Sequence, residues 1–311
     1  MSVVAILISD LHLSTCPPAR SAEPDWFDAM GRMLDQIKEI QNQYNCCVLC
    51  AGDVFDRHDA KPSLVNWAIE NLPEMIAIPG QHDLPYHSLD KLEESAFWTL
   101  VQANIITPVG VDNTPCIRLA CTNITVWGFP WGQKLTPMLK LNEVETNPRD
   151  INVALVHSYV WVNKHRYPGA PGYQNVVEWK ERLAGWDVVV FGDNHQGFAC
   201  QVEGTSVINC GCLIPRKSDE RDYKIKVGLI RDDGTVWRRQ LDTTRDKWLD
   251  LPGEEKSIPS NPGMVEFIED LNTLSSDSLD FRDAVIRYME ENSTAASTKQ
   301  VLTSVMDRFK N

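Results

Sequence analysis

The most constraining feature of this sequence is a set of five short apolar runs, rich in β-branched residues, that each end abruptly in polar side chains. The runs are VVAILIS (3–9), CCVLCA (46–51), MIAIPG (75–80), NVALVHS (152–158) and DVVVFGD (187–193). Strands that are apolar on both faces indicate a sheet covered by helices. Amphipathic stretches over 26–44 and 63–72 separate the first three runs, and 176–183 has helical spacing too. The pattern predicts an α/β fold.

Three further segments show the alternation of antiparallel strands and hairpins. They cover 116–129, 206–213 and 223–241, the last with a turn at RDDGT. We expect them to form a second sheet packed on the first. In sheets of this kind functional residues lie beyond the carboxyl ends of the strands, so the polar residues that end the five runs should converge on one crevice.

The composition changes after about residue 245. Residues 246–263 are rich in Pro, Gly and Ser and predict a linker, and residues 264–311 predict a small C-terminal helical segment. The tail helices have apolar faces that would either fold back onto the body or dock on a partner. We therefore place the chemistry in a domain over 1–245.

Composition limits the location and the partners of the chain. It has 311 residues, 43% of them hydrophobic, and neither a membrane-spanning run nor a signal peptide, so we expect a soluble cytoplasmic protein with no membrane contact. Nine scattered cysteines indicate reduced thiols, and the C-x-x-C within CCVLC is typical of core packing. The net charge of −13 disfavours a broad DNA-binding surface but suits a site that collects cations.

The polar residues at the strand ends are those that bind divalent metals. Carboxylates and imidazoles without thiolates favour Mn²⁺, with Mg²⁺ or Fe²⁺ as alternatives, over structural zinc. Their number predicts two metal ions, about 3.5 to 4 Å apart. The candidates are Asp10, His12, Asp53, Asp56, Gln81, His82, Asp83, His157, Asp193, Asn194 and His195.

The order of the blocks SDLHLS, AGDVFD, PGQHD, LVHS and FGDNHQ resembles that of the calcineurin-like metallophosphoesterases. GDVFDR and the later INCGCLIPRKSDE are similar to the SbcD-type DNA repair nuclease subunit, although Cys212 stands where Ser is usual. The resemblance implies a four-layer α/β/β/α sandwich. It also implies that Asp10, His12, Asp53 and His195 hold one metal and that Asp53, Gln81, His157 and Asp193 hold the other, with Asp53 bridging.

The second of these ligand sets departs from the family pattern. Gln81 replaces the usual Asn, and Asp193 replaces the usual His. The site becomes harder and more negative, which favours Mn²⁺ or Mg²⁺ over zinc.

The same resemblance implies a catalytic group beside the metals. His82 would protonate the departing alkoxide, a task suited to an imidazole. Independently of the resemblance, Asp83 is expected to orient His82. Asp56 is either part of the catalytic group or a structural carboxylate that pairs with Arg57 or with a backbone amide.

A substrate-binding surface is predicted after His157, where HSYVWVNKHRYPGAPGYQ mixes aromatic and cationic residues. Aromatics that stack on bases and cations that meet phosphates are typical of single-strand binding. An ordinary lid whose aromatics pack on the core remains the alternative. The predicted substrate-binding residues are Arg57, Tyr159, Trp161, Lys164, Arg166 and Asn194.

These features predict a Mn²⁺-dependent DNA nuclease, an SbcD-like exo- or endonuclease subunit whose tail would bind an SbcC-like ATPase. Two other hypotheses stay open. One is a phosphodiesterase or phosphatase for small molecules or nucleotides, and the other is a noncatalytic scaffold. The sequence leaves the oligomeric state undetermined, with a homodimer as one alternative.

Overall fold

The computed structural model describes residues 2–18, 21–111, 114–119, 122–141, 150–166, 170–214 and 224–249. They belong to one compact unit that ends at Leu249. The predicted tail and all but the start of the predicted linker lie outside these ranges and stay predictions. At the start of the linker, the Ala22 N–H donates to the Lys247 carbonyl at 2.9 Å, so this piece of chain is held on the body.

Twelve strands and four α-helices occur in these ranges. The strands are β1 (Val3–Ile8), β2 (Cys47–Cys50), β3 (Met75–Ala77), β4 (Ile106–Pro108), β5 (Cys116–Leu119), β6 (Ile124–Phe129), β7 (Ile151–His157), β8 (Val188–Gly192), β9 (Phe198–Val202), β10 (Thr205–Asn209), β11 (Lys226–Arg231) and β12 (Val236–Gln240). The helices are α1 (Trp26–Tyr44), α2 (Pro62–Asn71), α3 (Ala96–Gln102) and α4 (Lys180–Leu183). Short 3₁₀ turns cover Gln81–Asp83, Pro85–His87, Leu89–Glu94, Met138–Lys140, Gly172–Gln174 and Val176–Trp179.

The strands form two six-stranded mixed sheets. The first has the order β12-β11-β1-β2-β3-β4, with β1 to β4 parallel. The second has the order β5-β6-β7-β8-β10-β9, with β6, β7, β8 and β10 parallel. The remaining strands pair antiparallel at the edges. Parallel strands whose carboxyl ends share one edge are what a crevice site requires.

The two sheets pack face to face and carry helices outside, which confirms the predicted α/β sandwich. Side chains such as Leu7 and Leu49 of the first sheet and Val153 of the second fill the layer between them. Helices α1, α2 and α3 cover the outer face of the first sheet. Short helices around Trp179 cover the outer face of the second sheet.

Two predictions about the sheets were wrong. The five apolar runs do not share one sheet, because the first three form β1, β2 and β3 while the last two form β7 and β8 of the second sheet. The segment 223–241 was expected in the second sheet, but its hairpin, β11 and β12, extends the first sheet through antiparallel pairing of β11 with β1. Alternation indicates a strand but does not identify its neighbour.

Helix α1 shows local signals that agree with the structure. Asp25 caps its amino end by accepting a hydrogen bond from the Asp28 N–H at 3.1 Å. Asn45 ends it in a left-handed conformation with φ of 50°. Its buried face, which includes Met30 and Ile37, packs on the first sheet. Caps at both ends and one apolar stripe define the element from sequence alone.

Cys46 and Cys50 are buried, as expected of core residues. None of the helices described is long and apolar enough to cross a bilayer.

Candidate metal centre

The backbone turns sharply at the strand ends that carry the predicted ligands. A positive φ is uncommon for residues other than glycine and persists only where the surrounding structure enforces it. Here the Asp10 N–H donates to the Gly52 carbonyl at 2.9 Å, and the His12 N–H donates to the Asp53 carbonyl at 3.0 Å. These bonds tie the ends of β1 and β2 together. Positive φ angles occur at Asp10 (52°), His12 (45°), Asp53 (54°) and Asp193 (76°).

Asp10, His12 and His195 form the first of three ligand groups in the described part of the chain. Their ligand atoms all lie within 4.8 Å of one another. Nε2 of His12 is 3.1 Å from Nε2 of His195 and 4.0 Å from Oδ1 of Asp10. These are three of the four residues expected at the first metal.

A second group, Asp10, Asp53 and His157, adjoins the first and is fully buried. Oδ2 of Asp53 lies 3.4 Å from Nε2 of His157 and 3.7 Å from Nε2 of His12. Asp53 thus stands between the imidazoles of both groups, as a shared ligand must. Nδ1 of His157 donates to the Ala51 carbonyl at 2.6 Å, which fixes the tautomer and leaves Nε2 to face the carboxylates.

The centre leaves polar atoms buried without hydrogen bonds. Burying such atoms is costly unless a partner satisfies them. A divalent cation would satisfy all of them, because carboxylate oxygens, an amide oxygen and an imidazole nitrogen are its usual ligands. The residues present therefore fit the metal ions. The atoms are Oδ2 of Asp10, Oδ2 of Asp53, Oε1 of Gln81 and Nε2 of His157.

The charges of the centre also call for a cation. Burial raises the pKa of Asp10 to about 6, against the pull of His195. Burial opposes ionisation of Asp53, but the imidazoles of His157 and His12 outweigh it and hold its pKa well below the usual range. Burial lowers the pKa of His157, yet the carboxylates led by Asp53 raise it to about 10. An anionic cluster that retains a proton on a buried imidazole has a strong demand for positive charge.

Gln81 and Asp193, the two departures from the family pattern, are hydrogen-bonded to each other. Nε2 of Gln81 donates to Oδ1 of Asp193 at 2.7 Å, and the Asp193 N–H donates to Oδ1 of Asp10 at 2.9 Å. The amide group is thereby oriented with Oε1 free. Asp193 belongs to none of the three ligand groups found within 4.8 Å in the described ranges. The two residues therefore act as a pair beside the centre.

Replacing Asp193 by His should widen the metal tolerance of this pair. Asp193→His exchanges an anionic oxygen for an imidazole, so the ratio of Zn²⁺ to Mn²⁺ affinity should rise. Titration calorimetry with each ion measures that ratio independently of turnover. An unchanged ratio would mean that Asp193 does not contact the metal.

His82 lies at the edge of the centre and lines the adjoining cavity. Its backbone N–H donates to Oδ1 of Asp53 at 2.9 Å. Its ring stands edge-on to that of His12, with the ring centroids 4.9 Å apart. Nδ1 lies 2.8 Å from the Asp56 carbonyl, which can only accept, so Nδ1 carries the proton and Nε2 is left for the cavity.

Asp83 was expected to orient His82, and this was wrong. Its carboxylate accepts hydrogen bonds from the backbone N–H groups of Val54 at 3.2 Å, Phe55 at 3.0 Å and Gly80 at 2.9 Å. Burial raises its pKa to about 7, and the charge of Asp53 adds to the effect. Asp83 therefore holds together the two loops that present Asp53 and Gln81, and the carbonyl of Asp56 orients His82 instead.

Asp56 is placed for a positioning role. Oδ1 of Asp56 lies 3.9 Å from Nδ1 of His12, and Asp56, His12 and His82 form the third ligand group. Its alternative partner, Arg57, instead forms an ion pair with Asp59 at 2.9 Å. Asp56 thus lies beside the imidazoles of both His12 and His82.

An open cavity of about 1000 Å³ lies over this centre. Besides the ligands, Arg57, Tyr159 and Asn194 of the predicted substrate-binding residues line it. The side chain of Asn194 is already engaged, because Nδ2 donates to the carbonyls of Val160 at 2.7 Å and His165 at 2.9 Å. Asn194 therefore holds the loop after His157 and does not offer its amide to substrate.

The other predicted substrate-binding residues do not line the cavity. Trp161 is buried and its Nε1 donates to the Pro171 carbonyl at 3.0 Å, so its role as a base-stacking platform was a wrong prediction. Lys164 and Arg166 are exposed on the loop, with the Arg166 guanidinium 4.6 Å from the Trp161 ring centroid. In the described part of this segment Trp161 is buried, Tyr173 is exposed, and the cations Lys164 and Arg166 face outward.

Sequence reasoning missed three glycines that make room for the ligands. A Cβ at Gly52 or Gly192 would collide with the ring of His157, and one at Gly80 would collide with the carboxylate of Asp53. Their position directly before a ligand, as in AGD, PGQ and FGD, is the signal that could have revealed them.

The family model for calcineurin-like phosphoesterases matches residues 4–197. The match spans more than half of the sequence, so the chain belongs to this family, whose members hydrolyse phosphoesters at a site for two divalent metal ions. No curated protein sequence matches the chain.

The solved structures that the chain matches are only distantly similar to it in sequence. A novel archaeal phosphodiesterase is 14% identical, with 76% of this chain and 99% of that one covered and a TM-score of 0.37. The calcineurin-like phosphoesterase YfkN from Bacillus subtilis is 13% identical, with coverages of 79% and 86% and a TM-score of 0.41. The NAD nucleotidase of Haemophilus influenzae is 14% identical, with coverages of 94% and 60% and a TM-score of 0.43.

Proposed function

We propose that this metallophosphoesterase is a phosphodiesterase that cleaves DNA, an SbcD-like nuclease with Mn²⁺ as its preferred ion. The observation that carries the proposal is His82, an imidazole with a fixed tautomer that lies between the ligand cluster and an open cavity. The leaving group of a phosphodiester is an alkoxide, which needs a proton. The cavity of about 1000 Å³ has room for groups on both sides of the phosphate. The motif resemblance supplies DNA as the substrate.

Each residue has a distinct role in this proposal. Asp10, His12 and His195 would hold one ion, and Gln81, His157 and Asp193 the other, with Asp53 shared. The two ions would supply positive charge to the phosphate oxygens and lower the pKa of the attacking water. In its doubly protonated form His82 would donate the Nε2 proton to the leaving oxygen, and the ring would be left as the neutral Nδ1–H tautomer that the carbonyl of Asp56 holds.

His82→Ala should affect substrates according to their leaving groups. Cleavage of a dinucleotide, which releases an alkoxide, should fall about a hundredfold, whereas cleavage of bis-p-nitrophenyl phosphate should change little because nitrophenolate needs no proton. Steady-state rates on both substrates measure the contrast. The Mn²⁺-induced rise in unfolding temperature should persist, and equal losses on both substrates would contradict the acid role.

A small-molecule or nucleotide phosphodiesterase remains the second candidate. Two observations favour it: Trp161 is buried, and Lys164 and Arg166 stand outside the cavity. The chain is also acidic, which suits a compact substrate better than a long polyanion.

Docking on an SbcC-like ATPase through the tail and a cytoplasmic location remain part of the nuclease proposal.

Side-by-side assays distinguish these functions. Purified protein with Mn²⁺ would be given labelled single- and double-stranded DNA and, separately, bis-p-nitrophenyl phosphate. Cleavage of DNA supports the nuclease. Hydrolysis of the small diester alone supports the second candidate, and no turnover with any ion would support a scaffold. Asp53→Asn provides the control for contaminating nucleases.

A further inference from the structure

A group of basic side chains lies beside the metal centre on a chain that is otherwise acidic. The chain carries 43 Asp and Glu against 30 Lys and Arg, so a group of cations without acidic partners is unexpected. Lys164, His165 and Arg166 follow one another on the loop after β7, and Arg238 lies on the edge strand β12. We call these four residues the basic rim.

Strand pairing places Arg238 on the side of the second sheet. It lies opposite Gly228 of β11, and a Cβ at Gly228 would be only 2.7 Å from Cδ1 of Ile208 in β10. Arg239, the next residue, points to the opposite side, where its Nη1 donates to Oε1 of Gln43 on α1 at 3.3 Å. Successive side chains on a strand alternate in this way. Only Arg238 of this pair lies on the side of the second sheet.

The loop of the basic rim is tied to the centre. The amide of Asn194, between Asp193 and His195, donates to the carbonyl of His165 at 2.9 Å. The His165 ring lies near Phe198, with centroids 6.4 Å apart, and Phe198 pairs with Asn209 at the end of β10. Ile208, the neighbour of Asn209 in β10, approaches Gly228, which is the strand partner of Arg238. The loop cations and Arg238 therefore lie on the same side of the loop that carries Asp193 and His195.

Within the described residues, no carboxylate neutralises the positive charges of Lys164, Arg166 and Arg238. No carboxylate among the described residues forms an ion pair with Lys164, Arg166 or Arg238. Burial, and then the charges of Arg238 and Lys164, lower the pKa of His165, which agrees with their closeness. Arg238 is partly buried, so its charge is screened less than that of a fully exposed arginine. The rim is a region of positive potential next to an anionic centre.

We propose that Lys164, Arg166 and Arg238 bind the backbone phosphates of a single DNA strand whose scissile phosphate lies over the metal centre. This inference rests on the proposed function and adds Arg238, which is far from the motifs in sequence. Guanidinium groups bind phosphate oxygens with paired N–H donors, and such contacts position a strand without reading its bases. The rim would admit a strand and have no part in binding a small diester.

Binding of a strand can be measured without cleavage. A fluorescent single-stranded oligonucleotide would be titrated by anisotropy in EDTA over a series of salt concentrations, with the wild type, Arg238→Gln and Arg239→Gln. Near 50 mM salt Arg238→Gln should weaken binding about tenfold and lower the slope of log affinity against log salt by about 0.7, the value for one phosphate contact on a single strand. Arg239→Gln removes the same charge from the opposite side of the strand and should match the wild type.

The outcomes separate this inference from the proposed function. Equal effects of the two substitutions, no effect of Arg238→Gln, or no binding by the wild type at low salt would overturn the basic rim as a strand-binding site. Loss of binding specific to Arg238→Gln supports it. Cleavage of the same oligonucleotide in Mn²⁺ is measured separately. If the wild type binds the oligonucleotide through the basic rim but does not cut it, only the proposed nuclease function is refuted.

Discussion

Asp53→Asn should reduce hydrolysis of bis-p-nitrophenyl phosphate about a thousandfold or more, since charge stabilisation of several kcal/mol depends on the ions that this carboxylate holds. Oδ2 of Asp53 lies within 3.7 Å of Nε2 of His12 and within 3.4 Å of Nε2 of His157, so one substitution removes the anion shared by both groups. Rates at saturating Mn²⁺ measure the loss. The number of Mn²⁺ ions bound, from calorimetry, should fall as well.

Asp35→Asn is the matched control, because Asp35 makes only a surface ion pair with Lys38 on α1. It should leave rate and metal binding as in the wild type. Circular dichroism would show that Asp53→Asn remains folded. Near-normal turnover by folded Asp53→Asn would refute a centre organised around a shared carboxylate.

Gly80→Ala should lower activity about a hundredfold, the cost of misplacing a reacting group by about 1 Å. Gly80 has φ of −91°, which any residue can adopt, so the effect arises from contact alone. The new Cβ would overlap the Asp53 carboxylate and lie 2.5 Å from the Asp53 backbone nitrogen. Asp53 cannot easily retreat, because its Oδ1 accepts the His82 N–H at 2.9 Å. Overpacking should also cost about 1 to 3 kcal/mol of unfolding free energy.

Gly172→Ala is the control for this substitution, since a Cβ at Gly172 would have no heavy atom within 4 Å. Activity and urea denaturation of both variants would be compared with the wild type. If Gly80→Ala behaved like Gly172→Ala, the close approach of the two loops would not constrain Asp53.

Several parts of the molecule are determined by the sequence itself, because their signals are local. The span of α1 follows from its caps and apolar stripe, and the observed bounds Trp26–Tyr44 match the predicted ones. The five strands follow from their apolar runs, and parallel pairing brings together the carboxyl ends of β1, β2 and β3 in the first sheet and those of β7 and β8 in the second. The meeting of Asp10, His12 and Asp53 with His157 and His195 also depends on the packing of the two sheets.

The tertiary structure alone decided the partners of these residues. Asp83 follows His82 in sequence, yet its carboxylate meets three backbone N–H groups from the turn before it and the loop after β2. Trp161 lies among cations in a segment that resembles a strand-binding surface, but it is buried. Arg238 of β12 is distant in sequence, yet its charge contributes to lowering the pKa of His165 in that segment, after the effect of burial.

There is a physical reason why the sequence determined some of these features and the tertiary structure decided the others. Periodicity, caps and turn residues report on the few neighbours along the chain, and they specify where strands and helices begin and end. Sheet membership and side-chain contacts depend on residues that are far apart in sequence. The 223–241 hairpin joined the first sheet through antiparallel pairing of β11 with β1, a long-range choice that alternation alone does not encode. The sequence therefore determined the candidate ligands of the metal centre, and the tertiary structure decided what surrounds and orients them.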